Sequence, residues 1–227
     1  MNRIISILFI VISGCTGDYS YVRFKTAQPE GVREINSFGF RIRGIYNHCE
    51  NKNESIAVTK NEVVRYNKFH SKVHKNSIEL DFSISADVGK DSLIAKHISK
   101  YFSAKVECKI KNDTVYIDGV KMDTLFYVSS NQRLKKYKET YFLNYKKGKN
   151  YWDVKFLKWR KDSIYLSEIH PSEKLLDFDF VSKSEDVNSS DSTATIEYFI
   201  APHKKDIKSF VNSSYIQQIE CYYGRNK

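Results

Sequence analysis

The stretch ETYFLNYKKGKNYWDVKFLKWRKDSIYLSEI, residues 139–169, contains the pattern that decides the fold. Apolar and polar residues alternate along most of it, which is the period of a β-strand with one buried face. The alternation is interrupted at Lys147-Gly148 and at Lys161-Asp162, residue types that favour turns. We therefore predict three consecutive antiparallel strands joined by two tight turns.

Short segments elsewhere in the chain repeat this turn chemistry. In each, Asp or Asn is followed by Ser or Thr and then by a branched apolar residue, because the first residue favours a turn and the others favour a strand. The spacing is too uneven for a solenoid and indicates an antiparallel meander. The four segments are NSIEL (76–80), DTVYI (113–117), DTLFY (123–127) and DSIYL (162–166).

The remaining pattern predicts more strands and a few short helices. Alternation predicts strands in SFGFRIRGIYN (37–47) and SIELDFSIS (77–85), with further turns at Asn112-Asp113 and Asp118-Gly119. Helical spacing follows Asp91, and two short helices are expected after Pro171 and Pro202. The fold class is therefore α+β, a mainly antiparallel β meander or sheet with two or three short helices, in a single domain over residues 36–227.

The N-terminus has the order of features found in an export signal. Arg3 supplies a positive charge, and Ile4 to Ile12 is apolar apart from Ser6, which is too short for a membrane-spanning helix. The segment then ends in Ile12-Ser13-Gly14-Cys15, which resembles the lipobox of bacterial lipoproteins. The pattern of hydroxyl-containing turns followed by YFLNY and YWDV also resembles bacterial lipoproteins, but that similarity implies no function.

The lipobox resemblance implies a location and a partner. Cys15 would be lipidated and would become the first residue of the mature chain, with residues 1–14 as the signal peptide. Residues 15–35 would then form a lipidated tether in front of the domain. Membrane lipid, reached through Cys15, is the expected partner, and the bacterial cell envelope is the expected location.

The other three cysteines leave two alternatives open. Cys108 and Cys221 occupy apolar positions of predicted strands, which favours three buried reduced thiols including Cys49. A single disulfide is the alternative, and sequence spacing does not select its pair.

The segment 132–162 is the densest candidate for binding. It holds eleven Lys and Arg, three acids and eight aromatic residues, in a chain whose formal charge is +10. Basic and aromatic residues together can bind anionic polymers, although aromatic residues in strands are usually core and strand lysines often prevent aggregation. An envelope location makes nucleic acid an unexpected partner and favours an anionic glycan, anionic lipid or envelope protein. The candidate binding residues are Lys146, Lys147, Lys149, Tyr151, Trp159 and Arg160.

The faces of the middle strand in this segment follow from its period of two. Trp152, Val154 and Phe156 should share one face, and Tyr151, Leu157 and Trp159 the other.

No catalytic or cofactor-binding motif accompanies these residues. GxSxG, P-loop and GxGxxG patterns are absent, and His70 and His74 lack the glutamate of a zinc-protease motif. Residues 186–197 match only some oxygen positions of a calcium loop, so we expect no metal or other cofactor. The expected function is non-enzymatic binding. The alternative is an envelope hydrolase whose active site is assembled from residues distant in sequence.

Overall fold

The computed structural model describes residues 19–75, 91–188, 193–202, 205–211, 213 and 216–226. The lipobox, the predicted strand at 77–85 and residues 189–192 of the calcium-like segment lie outside the described residues. Fourteen strands are found within the described residues: β1 Tyr19–Phe24, β2 Glu34–Ile35, β3 Gly44–His48, β4 Glu54–Val58, β5 Glu62–His74, β6 Ala104–Lys111, β7 Thr114–Tyr127, β8 Gln132–Tyr137, β9 Thr140–Lys147, β10 Tyr151–Arg160, β11 Ser163–Ile169, β12 Val181–Asn188, β13 Thr193–Ile200 and β14 Ile216–Asn226.

These strands form one mostly antiparallel sheet, which confirms the predicted class at that level. The main path through the sheet is β12-β13-β1-β10-β11-β14-β3-β4-β5-β7-β6, and β9, β8 and β2 branch from β10. One pair, β1 with β13, is parallel. The three strands predicted over residues 139–169 are β9, β10 and β11, paired antiparallel in chain order.

Strand β10 lies at the branch point, where it pairs with β1, β9 and β11, and both of its faces are buried. Leu157 points into a first core, which is built mainly from β3, β4, β5, β7, β8, β9, β11 and β14. Trp152, Val154 and Phe156 point into a second core that also contains residues of β1, β9 and β13. The predicted assignment of faces is confirmed for these residues, because alternate side chains of a strand point to opposite sides.

A single longer helix packs against the far end of the sheet. Helix α1, Asp91–Phe102, covers β6 and β7 and forms a third core with its Ile94 and Ile98. The segment after Pro171 is a five-residue 3-10 turn, Glu173–Asp177, and the segment after Pro202 is the five-residue helix α2, Ile207–Val211. The prediction of two or three short helices is therefore not matched, because these two segments extend only far enough to bury Leu175, Ile207 and Phe210. In the part of the chain that is described, no helix is long and apolar enough to cross a membrane.

Two local predictions were wrong. The strand expected at 37–47 begins only at Gly44, and Phe40–Ile42 is a 3-10 turn that buries Ile42 and leaves Phe40 79% exposed. The turn expected at Asp118-Gly119 is continuous strand in β7, where Gly119 lies opposite Phe69 of β5. The Phe69 ring occupies the space where a side chain at residue 119 would lie, which explains the glycine there.

The segment expected to be a tether is part of the folded sheet from Tyr19 onward. Strand β1 pairs with β13 and β10, and Phe24 and Ala27 are buried in the second core. The next residues are held by side chains from β8 and β9. Lys135 Nζ donates to the carbonyl oxygens of Ala27 (2.7 Å) and Pro29 (3.1 Å), and buried Asn144 bonds the backbone of Gln28.

The favoured prediction of three reduced cysteines was also wrong. Cys49 and Cys221 form a disulfide between the end of β3 and β14, whereas Cys108 is buried in the third core. The backbone N–H of Cys49 also donates to the carbonyl oxygen of Cys221 at 2.8 Å. The pairing depends on β14 lying beside β3, a contact between segments 172 residues apart in sequence.

Candidate functional site

Two adjoining cavities at the C-terminal end of β10 form one groove. Their volumes are about 270 and 290 Å³, and they share Thr140, Lys158, Arg160 and Val211. We call this feature the β10 groove. Its other lining residues are Tyr137, Lys138, Glu139, Phe156, Tyr165, Ser167, Ile216 and Gln218.

Strand register explains why these side chains meet. Lys158 lies opposite Thr140 of β9 on one side and opposite Tyr165 of β11 on the other. Lys158 and Arg160 continue the face that carries Phe156, which is buried in the second core. The groove therefore lies beside α2, where this face of β10 continues past the second core and becomes accessible to solvent.

The groove carries cations that have no ion-pair partner among the described residues. Among the residues that the structure describes, Lys158, Arg160 and Lys138 have no carboxylate within salt-bridge distance. Lys138 Nζ lies 5.6 Å from the centre of the Tyr137 ring, so its contact there is cation–π. Glu139 is the one acid among the lining residues, and the groove therefore has a positive balance.

Neutral hydrogen-bonding groups surround these cations. Thr140, Ser167 and Tyr165 contribute hydroxyl groups, and Gln218 contributes an amide. Guanidinium and ammonium groups bind carboxylate or phosphate oxygens by charge-assisted hydrogen bonds, and hydroxyl groups can complete such a site. The arrangement is suited to binding an anionic group.

The structure does not bring the six predicted binding residues together. Lys146, Lys147, Lys149 and Tyr151 lie at the β9–β10 turn, whereas Arg160 lies in the β10 groove. Arg160 follows Tyr151 by nine positions along the strand, or about 30 Å at ~3.3 Å per residue. The basic stretch therefore forms two surfaces at opposite ends of one hairpin.

At the β9–β10 turn, some of the charged and aromatic side chains already have partners within the protein. Lys147 Nζ lies 3.7 Å from Asp153 Oδ2, and Asp153 Oδ1 also accepts a 3.0 Å hydrogen bond from Arg23. The Tyr151 ring lies 5.2 Å from that of Phe199. Lys146 and Lys149 are exposed.

Trp159 is partly buried on the opposite face of β10. It packs against the first core, and its Nε1 is buried with no hydrogen-bond partner among the described residues. Trp159 and Arg160 are neighbours in sequence and therefore point to opposite faces of β10. Trp159 thus does not share the groove surface with Arg160.

Sequence reasoning did not single out Lys158, Lys138, Thr140, Tyr165, Ser167 or Gln218. The strand period already placed Lys158 and Arg160 on one face, so that signal was present in the sequence. The contributions from β9, β11 and β14 required the strand register, which sequence alone does not supply.

A second charged cluster lies at the open end of the first core. Arg65 forms an ion pair with Glu220, and its Nε lies 3.3 Å from Glu54 Oε1 without hydrogen-bonding geometry. The single hydroxyl proton of buried Tyr222 is shared between Glu54 Oε1 at 2.6 Å and Glu220 Oε2 at 2.8 Å. Burial, reinforced by these bonds, raises the pKa of the Tyr222 phenol well above its usual value. Burial alone would lower the pKa of Arg65, but the groups around it, chiefly Tyr222 and Glu220, outweigh that effect and raise it.

This cluster borders a cavity of about 310 Å³ whose charged groups are mutually paired. Lys155 lies 3.5 Å from Glu168, and Lys147 lies near Asp153, as described above. Because its charges are neutralised internally, the cavity is a weaker candidate than the β10 groove for binding an ion.

Metal and histidine chemistry have little support in the described residues. No group of three or more His, Cys, Asp or Glu is placed there to hold a metal ion. His70 and His74 lie on strand β5, and exposed His70 hydrogen-bonds exposed Asp118 at 2.5 Å. Glu197, the last position of the calcium-like segment, lies 3.3 Å from Arg23 instead.

No protein-family model, curated protein sequence or solved structure matches this chain.

Proposed function

We propose that this chain is a lipid-anchored protein of the bacterial cell envelope that binds an anionic envelope component without enzymatic chemistry. The observation that carries the binding proposal is the β10 groove, where Lys158 and Arg160 lack a carboxylate partner among the described residues and lie among hydroxyl and amide groups. A site of this kind favours a ligand carrying carboxylate or phosphate groups.

The Cys49–Cys221 disulfide supports the envelope location independently of the N-terminal segment. Structural disulfides persist in exported proteins and are rare in the reducing cytosol. The order of charge, apolar residues, small residues and Cys15 at the N-terminus supports a lipid anchor on separate grounds.

Palmitate labelling tests the anchor. We expect the wild-type protein to incorporate radiolabelled palmitate in bacterial cells and the Cys15→Ser variant to incorporate none. Label that survives this substitution would show that Cys15 is not the lipidated residue.

Titration with polyanions tests the groove. Polygalacturonate and polyphosphate present carboxylate and phosphate groups, and neutral dextran is the matched control ligand. We expect Lys158→Gln/Arg160→Gln to weaken polyanion binding about 30-fold, because two charge-assisted contacts worth together about 2 kcal/mol or more are lost.

The variant Lys146→Gln/Lys149→Gln controls for net charge, since it removes the same two charges from the opposite end of β10. Equal losses in both double variants would mean that binding follows net charge and does not use the groove.

A further inference from the structure

Strand direction relates the β10 groove to the site of the lipid anchor. Tyr19, the first residue of β1, follows Cys15 by four residues, which at full extension span at most about 14 Å. Strand β1 pairs antiparallel with β10, with Phe24 opposite Trp152. Moving along β1 from Phe24 back toward the anchor therefore corresponds to moving along β10 from Trp152 toward Arg160.

The lengths of the two strands place the groove near the level of Tyr19, where β1 begins. From Phe24 to Tyr19 is about 17 Å, and from Trp152 to Arg160 is about 26 Å, at ~3.3 Å per residue. Arg160 thus extends about 10 Å beyond Tyr19 along the sheet, which is less than the span of the four residues from Cys15 to Tyr19 at full extension. The β9–β10 turn with Lys146 and Lys149 lies at the other end of β10, away from Tyr19.

The side chains at this end have the chemistry of a membrane-facing surface. Lys161, in the β10–β11 turn, is exposed and adds to the groove cations, and Tyr223, opposite Ser163 in the sheet, is 51% exposed. Basic residues are attracted to anionic lipid headgroups, and tyrosine is enriched at the membrane–water interface. The residues Lys138, Lys158, Arg160 and Lys161 outnumber the acids Glu139 and Asp162 at this end.

We propose that the β10 groove binds the headgroup of an anionic phospholipid in the membrane that holds Cys15. The inference rests on the lipid anchor and the anion-binding groove proposed above, and it names the ligand. Each buried methylene of an acyl chain contributes about 0.8 kcal/mol, so a lipidated Cys15 would hold the domain at the membrane surface. The short connection also raises the effective concentration of headgroups at the groove far above that of a soluble anion.

Vesicle flotation of the full-length Cys15→Ser chain, with the Cys49–Cys221 disulfide formed, tests this proposal because the protein then lacks an acyl chain. The two vesicle types are phosphatidylcholine alone and about three parts phosphatidylglycerol to seven parts phosphatidylcholine, at low salt. Background insertion by the apolar N-terminal residues is the same in every variant compared.

We expect stronger partitioning onto the phosphatidylglycerol vesicles. We expect Lys158→Gln/Arg160→Gln to reduce it about 30-fold, which corresponds to about fivefold per charge at an anionic surface. The matched variant Lys146→Gln/Lys149→Gln should partition nearly as the parent does. Circular dichroism of each variant confirms that the sheet is retained.

Three outcomes would overturn the headgroup proposal. Groove-dependent binding of polygalacturonate or polyphosphate without binding to phosphatidylglycerol vesicles would leave the proposed anion-binding function standing and assign the groove to a soluble anion or glycan. Equal losses in the two double variants would show nonspecific charge attraction. Binding to neither vesicles nor polyanions would contradict both the headgroup proposal and the anion-binding function.

Discussion

Removal of the Cys49–Cys221 disulfide should cost a large part of the protein's stability. The bond joins residues separated by 172 positions, so it closes a loop that contains most of the folded chain. The chain-entropy relation gives about 17 cal/mol/K for a loop of this length, or about 5 kcal/mol at 25 °C. Residual structure in the unfolded chain lowers this limit, and we expect Cys49→Ala/Cys221→Ala to lose about 2–4 kcal/mol.

The native contacts around the bond should change little in this variant. The backbone hydrogen bond from Cys49 to Cys221 and the pairing of β3 with β14 do not depend on the sulfur atoms. The loss should therefore act mainly through the unfolded state, which becomes less compact. A larger dependence of the unfolding free energy on urea, the m-value, should accompany the loss of stability.

Urea unfolding followed by tryptophan fluorescence measures both quantities. Trp152 is in the second core and Trp159 packs against the first, so the signal reports on both. Reductant should lower the stability of the wild-type protein to that of the double variant and should leave the variant unchanged, with Cys108 present in both. A difference of less than about 1 kcal/mol between variant and wild type would refute the chain-entropy reasoning.

Three further predictions concern the sheet and the charged cluster. Gly119→Ala should lower the unfolding free energy measured in urea by about 2 kcal/mol, because the Phe69 ring occupies the space of the new methyl group. Adding Phe69→Leu should recover part of that loss. Equal stability of the single variant and the wild type would contradict the packing argument. Arg65→Met should cost about 2 kcal/mol because it leaves the partly buried carboxylates of Glu54 and Glu220 without their cation. This is less than the roughly 3–5 kcal/mol of fully buried pairs, since the side chains of Arg65, Glu54 and Glu220 are 24%, 15% and 19% exposed. Adding Glu220→Gln should restore part of the loss, and a single variant as stable as the wild type would refute the ion-pair role. Burial raises the pKa of the Tyr145 phenol. The contribution of this group to stability is therefore complete below about pH 10 and is lost at higher pH, by up to ~1.4 kcal/mol per pH unit. Tyr145→Phe should flatten the alkaline fall in unfolding free energy, and parallel pH profiles of the variant and the wild type would exclude this cause.

Much of the strand content could be predicted because it depends on local periodicity. Strands β9, β10 and β11, their two turns and the faces of Trp152 and Leu157 follow from the alternation in residues 139–169. Helix α1 follows from the change to helical spacing after Asp91. Each of these features is determined by residues close together in sequence.

The local errors arose where a distant residue changes the local preference. Gly119 has the composition of a turn, but the Phe69 ring from β5 fills its missing side chain and keeps β7 continuous. Phe40 fits an alternating pattern, yet a 3-10 turn buries Phe38 and Ile42 and exposes it. Neither the contact of Gly119 with Phe69 nor the burial of Phe38 and Ile42 around Phe40 can be identified from the neighbouring residues.

The candidate site was predictable in composition but not in arrangement. The segment 132–162, which is dense in basic and aromatic residues, includes Lys158 and Arg160 of the candidate groove. The sequence could not show that Lys147 and Arg160 lie at opposite ends of the hairpin, or that Trp159 packs against the first core. Those facts depend on strand register and on which face each core covers.

The sequence by itself determined the strand-rich character of this protein, its central hairpins and the pattern of its N-terminal segment, since composition and short-range periodicity express these directly. Only the tertiary structure decided the cysteine pairing, the insertion of β1 into the sheet and the meeting of Lys158 with Thr140 and Tyr165. The physical reason is that a strand presents its hydrogen-bonding edges to any suitable partner. The choice of partner is made by burial of the two cores around β10, which involves residues from nearly the whole chain.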